Sequence, residues 1–152
     1  MPELMTLAEY HQEFGKPRQR AAYTAREADE QIALFQWIET VTSREPRLAW
    51  AFHVPNGEYR HKATAGRLKA MGVRQGVPDI FLPVSAQSYV GLAIELKVDG
   101  NDLSEEQDRW LQQLREVGWF ANVYHGWVAA ALAITWYLGR STEDMGLETK
   151  DL

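Results

Sequence analysis

Cysteine is absent from all 152 residues. That excludes disulfide staples and thiolate metal sites, and makes a cytosolic address the default. No uninterrupted apolar run approaches the roughly 18 residues that would suggest a membrane span. The opening residues, MPELMTLAEYHQEF, lack a basic stretch followed by an apolar one, so no secretory signal is expected. Histidine is scarce, and His11, His53, His61 and His125 show no metal-ligand spacing, which argues against zinc. Positive charge is also in deficit, with a formal net charge of −5. What remains is a chain long enough for one domain with a real core. Its 45% hydrophobic content, six Trp and six Tyr supply the apolar area.

Net charge hides a segregation that matters, because DNA responds to the local field. Between residues 58 and 75, Arg60, Lys62, Arg67, Lys69 and Arg74 face the lone acid Glu58. Acids collect elsewhere, at Asp99, Asp102, Glu105, Glu106 and Asp108, and at Glu143 and Asp144. The pattern permits a basic groove beside acidic metal ligands.

Hydrophobic periodicity gives the elements. A short helix is expected around Leu4–Phe14, and a strong helix over Glu27–Thr42. Leu48–Val54 suits a strand closed by the Pro55–Gly57 turn. His61–Met71 reads as a basic helix that Gly72 ends. Ile80–Val84 and Val90–Val98 read as strands joined by the polar turn Ser85–Tyr89. Ser104 starts a helix that Gly118 terminates. Trp119–Tyr124 is a strand, and His125–Leu138 the last helix. The order αβαββαβα predicts an α/β fold, a mixed sheet with helices on its faces. We divide the chain into an N-terminal extension (1–25), one domain (26–139) and a polar tail (140–152) expected to fray.

The two central strands allow a geometric test. If Val84 pairs with Val90, Asp79 falls opposite Glu95, with Cβ atoms about 5 Å apart. Lys97 lies two positions on and shares their face, because side chains alternate along a strand. Two carboxylates that close repel, and ionising both in a half-buried place is costly without a cation. A hard divalent ion supplies the compensation; Mg²⁺ suits oxygen ligands plus a substrate phosphate. Lys97 could orient the attacking water or stabilise charge building on phosphorus. A plain cross-strand salt bridge would use the same residues.

These residues carry a family resemblance. Pro78-Asp79 followed by Glu95-Leu96-Lys97 resembles the PD-(D/E)xK nuclease superfamily. The fuller set adds His53–Gly57, Lys62–Gly72, Gly76–Asp79, Ile94–Lys97, and Leu103-Ser104 with Gln107. It resembles the virus-type replication-repair nuclease (VRR-NUC) domain over about residues 27–125, above all its small stand-alone phage and bacterial members. The resemblance implies a restriction-endonuclease-like core and phosphodiester hydrolysis dependent on Mg²⁺, with Mn²⁺ able to substitute. It also implies that Asp79, Glu95 and the Leu96 carbonyl bind metal while Lys97 assists the water. For the stand-alone members it further implies homodimers acting on branched DNA such as four-way (Holliday) junctions, a role in DNA repair.

The superfamily usually adds a Glu or Gln from its first helix. Helical phase sets Glu27 and Gln31 on the stripe of Leu34, Phe35 and Ile38, with Glu30 at its edge. An inward carboxylate needs a partner, so Glu27 is favoured as the metal-linked acid and Gln31 as its catalytic neighbour, with Glu30 the alternative. Ser104 and Gln107 fit a capping box, and Gln107 could also touch the site. His53 is expected as a hydrogen-bonded residue of a buried strand. Lys62, Arg67, Lys69 and Arg60 are candidates for phosphate contact, Lys69 foremost. The tryptophans, mostly at apolar periodic positions, read as core.

Overall fold

The computed structural model describes residues 24–55 and 62–148. The helix expected at Leu4–Phe14, Arg60 and the end of the tail lie outside them. The elements are α1 (Thr24–Val41), a 3₁₀ turn (Pro46–Trp50), β1 (Phe52–His53), α2 (Lys62–Ala70), β2 (Ile80–Leu82), β3 (Leu92–Lys97), α3 (Glu105–Glu116), β4 (Phe120–His125) and α4 (Trp127–Tyr137). Apart from the 3₁₀ turn, the order is the αβαββαβα of the sequence pattern. The four strands form one sheet in the order β1-β2-β3-β4. The first two pairings are antiparallel, and β3 with β4 is parallel. This is the mixed α/β arrangement expected.

β3 is the axis of the molecule, buried at all six positions. Leu92, Ile94 and Leu96 point to one face, where Ile80 and Leu82 join them against Leu34 and Ile38 of α1 and Ile134 and Tyr137 of α4. Each fully buried Leu or Ile of this kind stabilises the fold by about 1.5–3 kcal/mol. On the other face, Ala93, Ala121 and Val123 receive Leu111 and Leu114 of α3. The small side chains there leave room for the helix between the parallel strands. α3 ends as its sequence requires: Gly118 takes a φ of +95°, and the Trp119 N–H reaches back to the Leu114 carbonyl at 2.9 Å.

Two expectations fail for identifiable reasons. Leu48–Val54 is not a strand. Pro46 sits in the first turn of the 3₁₀ segment and the Glu45 carboxylate accepts the Arg47 N–H, so the chain winds before it extends. Only Phe52 and His53 pair with β2, and Trp50 is left 68% exposed. Of the other tryptophans, Trp37 is buried and Trp119, Trp127 and Trp136 pack against core residues as expected, whereas Trp110 lies half-buried outside both core clusters. The stretch after Gly139 does not fray as far as Glu148. Met145 and Leu147 are buried in the core of α1 and α4, and the Trp37 indole N–H donates to the Met145 carbonyl at 2.9 Å. Two apolar anchors outweigh the polar character of their neighbours.

Glu45 is the buried charge of this region. Arg47 donates to both its oxygens, each at 2.7 Å, and holds its carboxyl below the ordinary carboxylate range, with Arg140 adding to the effect. A depressed carboxyl contributes stability that is complete above its unfolded value and is lost as the pH falls through the folded one. Glu45→Ala should therefore destabilise the fold by about 1–3 kcal/mol at neutral pH. The gap in melting temperature between the two proteins should hold from pH 6 to 8 and close as acid titrates the group; a gap unchanged at acid pH would contradict this account of Glu45.

Candidate active site

The β2–β3 hairpin pairs Ile80 with Ile94, Phe81 with Ala93 and Leu82 with Leu92. Continued one step, that register sets Asp79 opposite Glu95, as the sequence pattern predicts. The turn itself differs from expectation. Val84 does not pair with Val90; its N–H turns back to the Leu82 carbonyl, and the hairpin closes on an Ala86–Tyr89 bridge. Gln87 and Ser88 occupy the left-handed region at φ of 51° and 70°, the geometry of a tight primed turn. The extra residue is absorbed in the turn, so the register at the far end is untouched.

Asp79, Glu95 and Lys97 share the α3 face of the sheet, at the carboxyl end of the parallel pair where open α/β sheets bind ligands. Asp79 Oδ2 accepts the Leu96 N–H at 2.9 Å. Residues of a strand turn N–H and C=O to the same neighbour, so the Leu96 carbonyl lies on this side as well. The carboxyl groups of Asp79 and Glu95 stand close enough for each to act on the other's ionisation. Lys97 Nζ stands 3.5 Å from Glu95 Oε1. Glu95 is only 2% exposed and Lys97 8%.

Burial dominates the electrostatics. It pushes the Glu95 carboxyl up to about 8, reinforced by the charge of Asp79 and opposed by Lys97. Asp79 is raised by burial too, against the pull of the Leu96 N–H, His53 and Lys97. Glu27 is raised by burial and by Asp79, with Lys97 opposing. Glu27, Asp79 and Glu95 line one cleft of about 260 Å³, together with Gly76, Ser104 and Gln107.

The helix-borne residues sort by position. Glu27 faces the cleft, whereas Glu30 Oε2 accepts the Trp127 N–H at 2.6 Å. Glu30 thus caps α4, whose own Gly126 offers no side chain. Gln31 is half-buried, and its Nε2 has no hydrogen-bond partner among the described residues. Gln107 does both things its position allows. Its Oε1 accepts the Ser104 N–H while its own N–H binds Ser104 Oγ, completing the capping box. Its Nε2 donates to Glu95 Oε1 at 2.6 Å. His53 departs from expectation: it is exposed on the short edge strand, and its Nδ1 donates to the Asp79 carbonyl at 2.8 Å. Lys69 and Arg67 are exposed on α2, which Lys62 opens.

A sequence model of the VRR-NUC domain matches residues 25–127. The chain belongs to the VRR-NUC family. A solved structure described as a VRR_NUC domain protein is similar over 79% of this chain and 92% of its own, with a TM-score of 0.63 and 25% identity. Comparison with curated proteins finds no match. Membership makes this a nuclease-family domain, with a restriction-endonuclease-like sheet and helices as its fold. No helix of the described residues is long and apolar enough to cross a membrane.

The VRR-NUC site suits a hard cation by its donor set. Three acids face one cleft, two of them adjacent, and Lys97 is the neighbouring countercharge that opposes the rise in all three. Among the described residues, no three His, Cys, Asp or Glu side chains converge closely enough to hold an ion by themselves. An ion here would rest on the Asp79–Glu95 pair, main-chain oxygen and outside oxygens. That division suits Mg²⁺, which keeps waters and takes one or two carboxylates plus substrate phosphate.

Between the ordinary value of 4.5 and about 8, the metal-free fold keeps a proton on Glu95 that the unfolded chain releases. Its stability should therefore fall as the pH rises through that window. Thermal melts in EDTA should show the decline, and Glu95→Gln should remove most of it. Identical slopes for the two proteins would refute the assignment.

Proposed function

We propose that this VRR-NUC chain is a Mg²⁺-dependent endonuclease that hydrolyses phosphodiester bonds in branched DNA, such as four-way junctions, as a homodimer. The observation that carries the chemistry is the adjacent carboxyl pair of half-buried Asp79 and buried Glu95, with Lys97 against it. Two acids forced together with one nearby ammonium form a poor salt bridge and a good cation site.

In this reading Asp79, Glu95 and the Leu96 carbonyl hold the ion, and Glu27 is the third acid of the cleft. When bound, the ion polarises the scissile phosphate and lowers the pKa of the attacking water. The chain's own side chains do the rest. Lys97, held against Glu95, offers its ammonium to the water or to the charge gathering on the phosphate. Gln107 fixes the Glu95 carboxyl through a 2.6 Å hydrogen bond, so the ligand need not reorganise on binding. Gln31 does not line the cleft, but its buried Nε2 has no hydrogen-bond partner among the described residues and in this reading would hold a water one turn from Glu27.

Branched DNA and the homodimer rest on similarity to the small stand-alone members. The last helix is largely buried and offers little surface for pairing. Trp50 and Phe52, exposed at the open β1 edge of the sheet, support a pairing surface there instead.

Asp79→Ala, Glu95→Ala and Lys97→Ala should each lower Mg²⁺-dependent cleavage of a four-way junction at least a hundredfold, with circular dichroism unchanged. Calorimetric titration with Mn²⁺ should show binding to the wild-type chain that Glu95→Ala loses. Undiminished cleavage by Asp79→Ala would end this reading. Equal cleavage of linear duplex and junction would keep the chemistry but remove the preference for branches.

A further inference from the structure

A second concavity adjoins the catalytic cleft and is three times its size. It lies between α2 and α3, encloses about 880 Å³, and shares Gln75 and Glu106 with the cleft as a common wall. Its volume falls in the range of roughly 300–1,000 Å³ typical of ligand-binding sites. Among the described residues three cations line it, Lys69 from α2, Arg74 from the following loop and Arg109 from α3, against the single acid Glu106. All three are exposed.

The lining is not only basic. Leu68 and Val73 supply apolar surface, and Trp110 an aromatic one. Charge alone would suit any phosphate backbone. Cations interleaved with an aromatic and aliphatic surface suit a strand whose bases are unpaired, because stacking needs a base face that a duplex hides.

The wall is rigid. The Trp110 indole N–H donates to the Gln75 carbonyl at 3.0 Å, which holds the ring against the loop. One residue on, Gly76 takes a φ of +81°, and a Cβ there would meet the Glu106 main chain at 2.5 Å. Only glycine permits that approach. Asp79 follows three residues later, so whatever lies in the groove is registered to the carboxyl pair.

We propose that the groove between α2 and α3 binds one unpaired nucleic-acid strand leading to the scissile phosphate. Lys69, Arg74 and Arg109 contact its phosphates, and Trp110 stacks a base. The inference deepens the nuclease reading and rests on it: among branched DNAs the substrate would be one with an unpaired strand beside the cut, such as a flap, in preference to a fully paired four-way junction.

The test is fluorescence anisotropy of the full chain with a labelled single-stranded oligonucleotide and with the same sequence as duplex, in EDTA so that nothing is cut. The combined Lys69→Ala, Arg74→Ala and Arg109→Ala variant should bind the single strand at least tenfold more weakly. Its log–log salt slope should flatten by about 2, at about 0.7 for each phosphate no longer neutralised. Trp110→Ala should cost roughly fivefold to a hundredfold. Trp110→Phe, which loses the Gln75 hydrogen bond but keeps a ring, should retain most of the affinity; equal loss in both would assign Trp110 a structural role and overturn the stacking. Arg44→Ala, which removes a cation outside the groove, should bind as wild type. Wild-type affinity in the triple variant, or equal affinity for duplex, would overturn the groove proposal. Because binding is read without metal, these outcomes are separate from cleavage. Mg²⁺-dependent cleavage by the wild type alongside undiminished binding by the triple variant sinks the groove alone. Weakened binding by that variant without any Mg²⁺-dependent cleavage by the wild type sinks the nuclease alone.

Discussion

The molecule is organised around an electrostatic conflict. The register of β2 on β3 sets Asp79 beside Glu95, and the sheet buries Glu95 and half-buries Asp79 where water screens them poorly. Left alone, two such carboxyls would open the hairpin or stay protonated. The fold prevents the first by making β3 the most enclosed element, packed by α1 and α4 on one face and by α3 on the other. It tolerates the second, because burial raises both carboxyls and favours their neutral forms. Structural stability is given up at one point to keep a site ready, and the large apolar core supplies the margin.

α3 is the element that converts this conflict into a shaped site. It crosses from β3 to the parallel β4, so its first turn necessarily starts beside the carboxyl ends of those strands. There Ser104, Glu106 and Gln107 line the cleft, Glu106 packs against Gly76, and one turn later Trp110 bonds the loop that carries Asp79. The helix therefore fixes both acids from the same side: Glu95 directly through Gln107, and Asp79 through the backbone of Gln75 and Gly76. Its apolar stripe of Leu111 and Leu114 anchors it to the sheet.

Much of this was legible in the residues because strand alternation is a strict period. Apolar side chains at Leu92, Ile94 and Leu96 force Glu95 and Lys97 to the opposite face, and a short polar turn leaves few registers for Asp79. Helical phase likewise separated Glu27 from Glu30, although it could not show that Glu30 caps α4 across the core. Illegible features depended on distant partners. Leu48–Val54 has strand composition, but capping by Glu45 and the fixed φ of Pro46 decide the local winding. Met145 and Leu147 look like scattered apolar residues until α1 offers Trp37. Arg74 and Arg109 stand far apart in sequence, and no local pattern brings them to one groove.

Gln107 illustrates why a glutamine, rather than an acid, serves at this point. The third helical position of a capping box accepts either Glu or Gln, since both carry an oxygen for the cap N–H. A glutamate would satisfy Ser104 equally well, yet it would set another negative charge against Glu95 in a place already crowded with acids. The amide resolves this by splitting its polarity: the oxygen takes the Ser104 N–H at 2.9 Å and the nitrogen donates to Glu95 at 2.6 Å. That orientation is forced, because a flipped amide would face donor to donor at the cap and oxygen to oxygen at Glu95. The donated bond can persist whether the Glu95 carboxyl carries a proton, a charge or an ion on its remaining oxygen. The helix cap is thus independent of the state of the site it borders, which lets the cleft change occupancy without loosening α3.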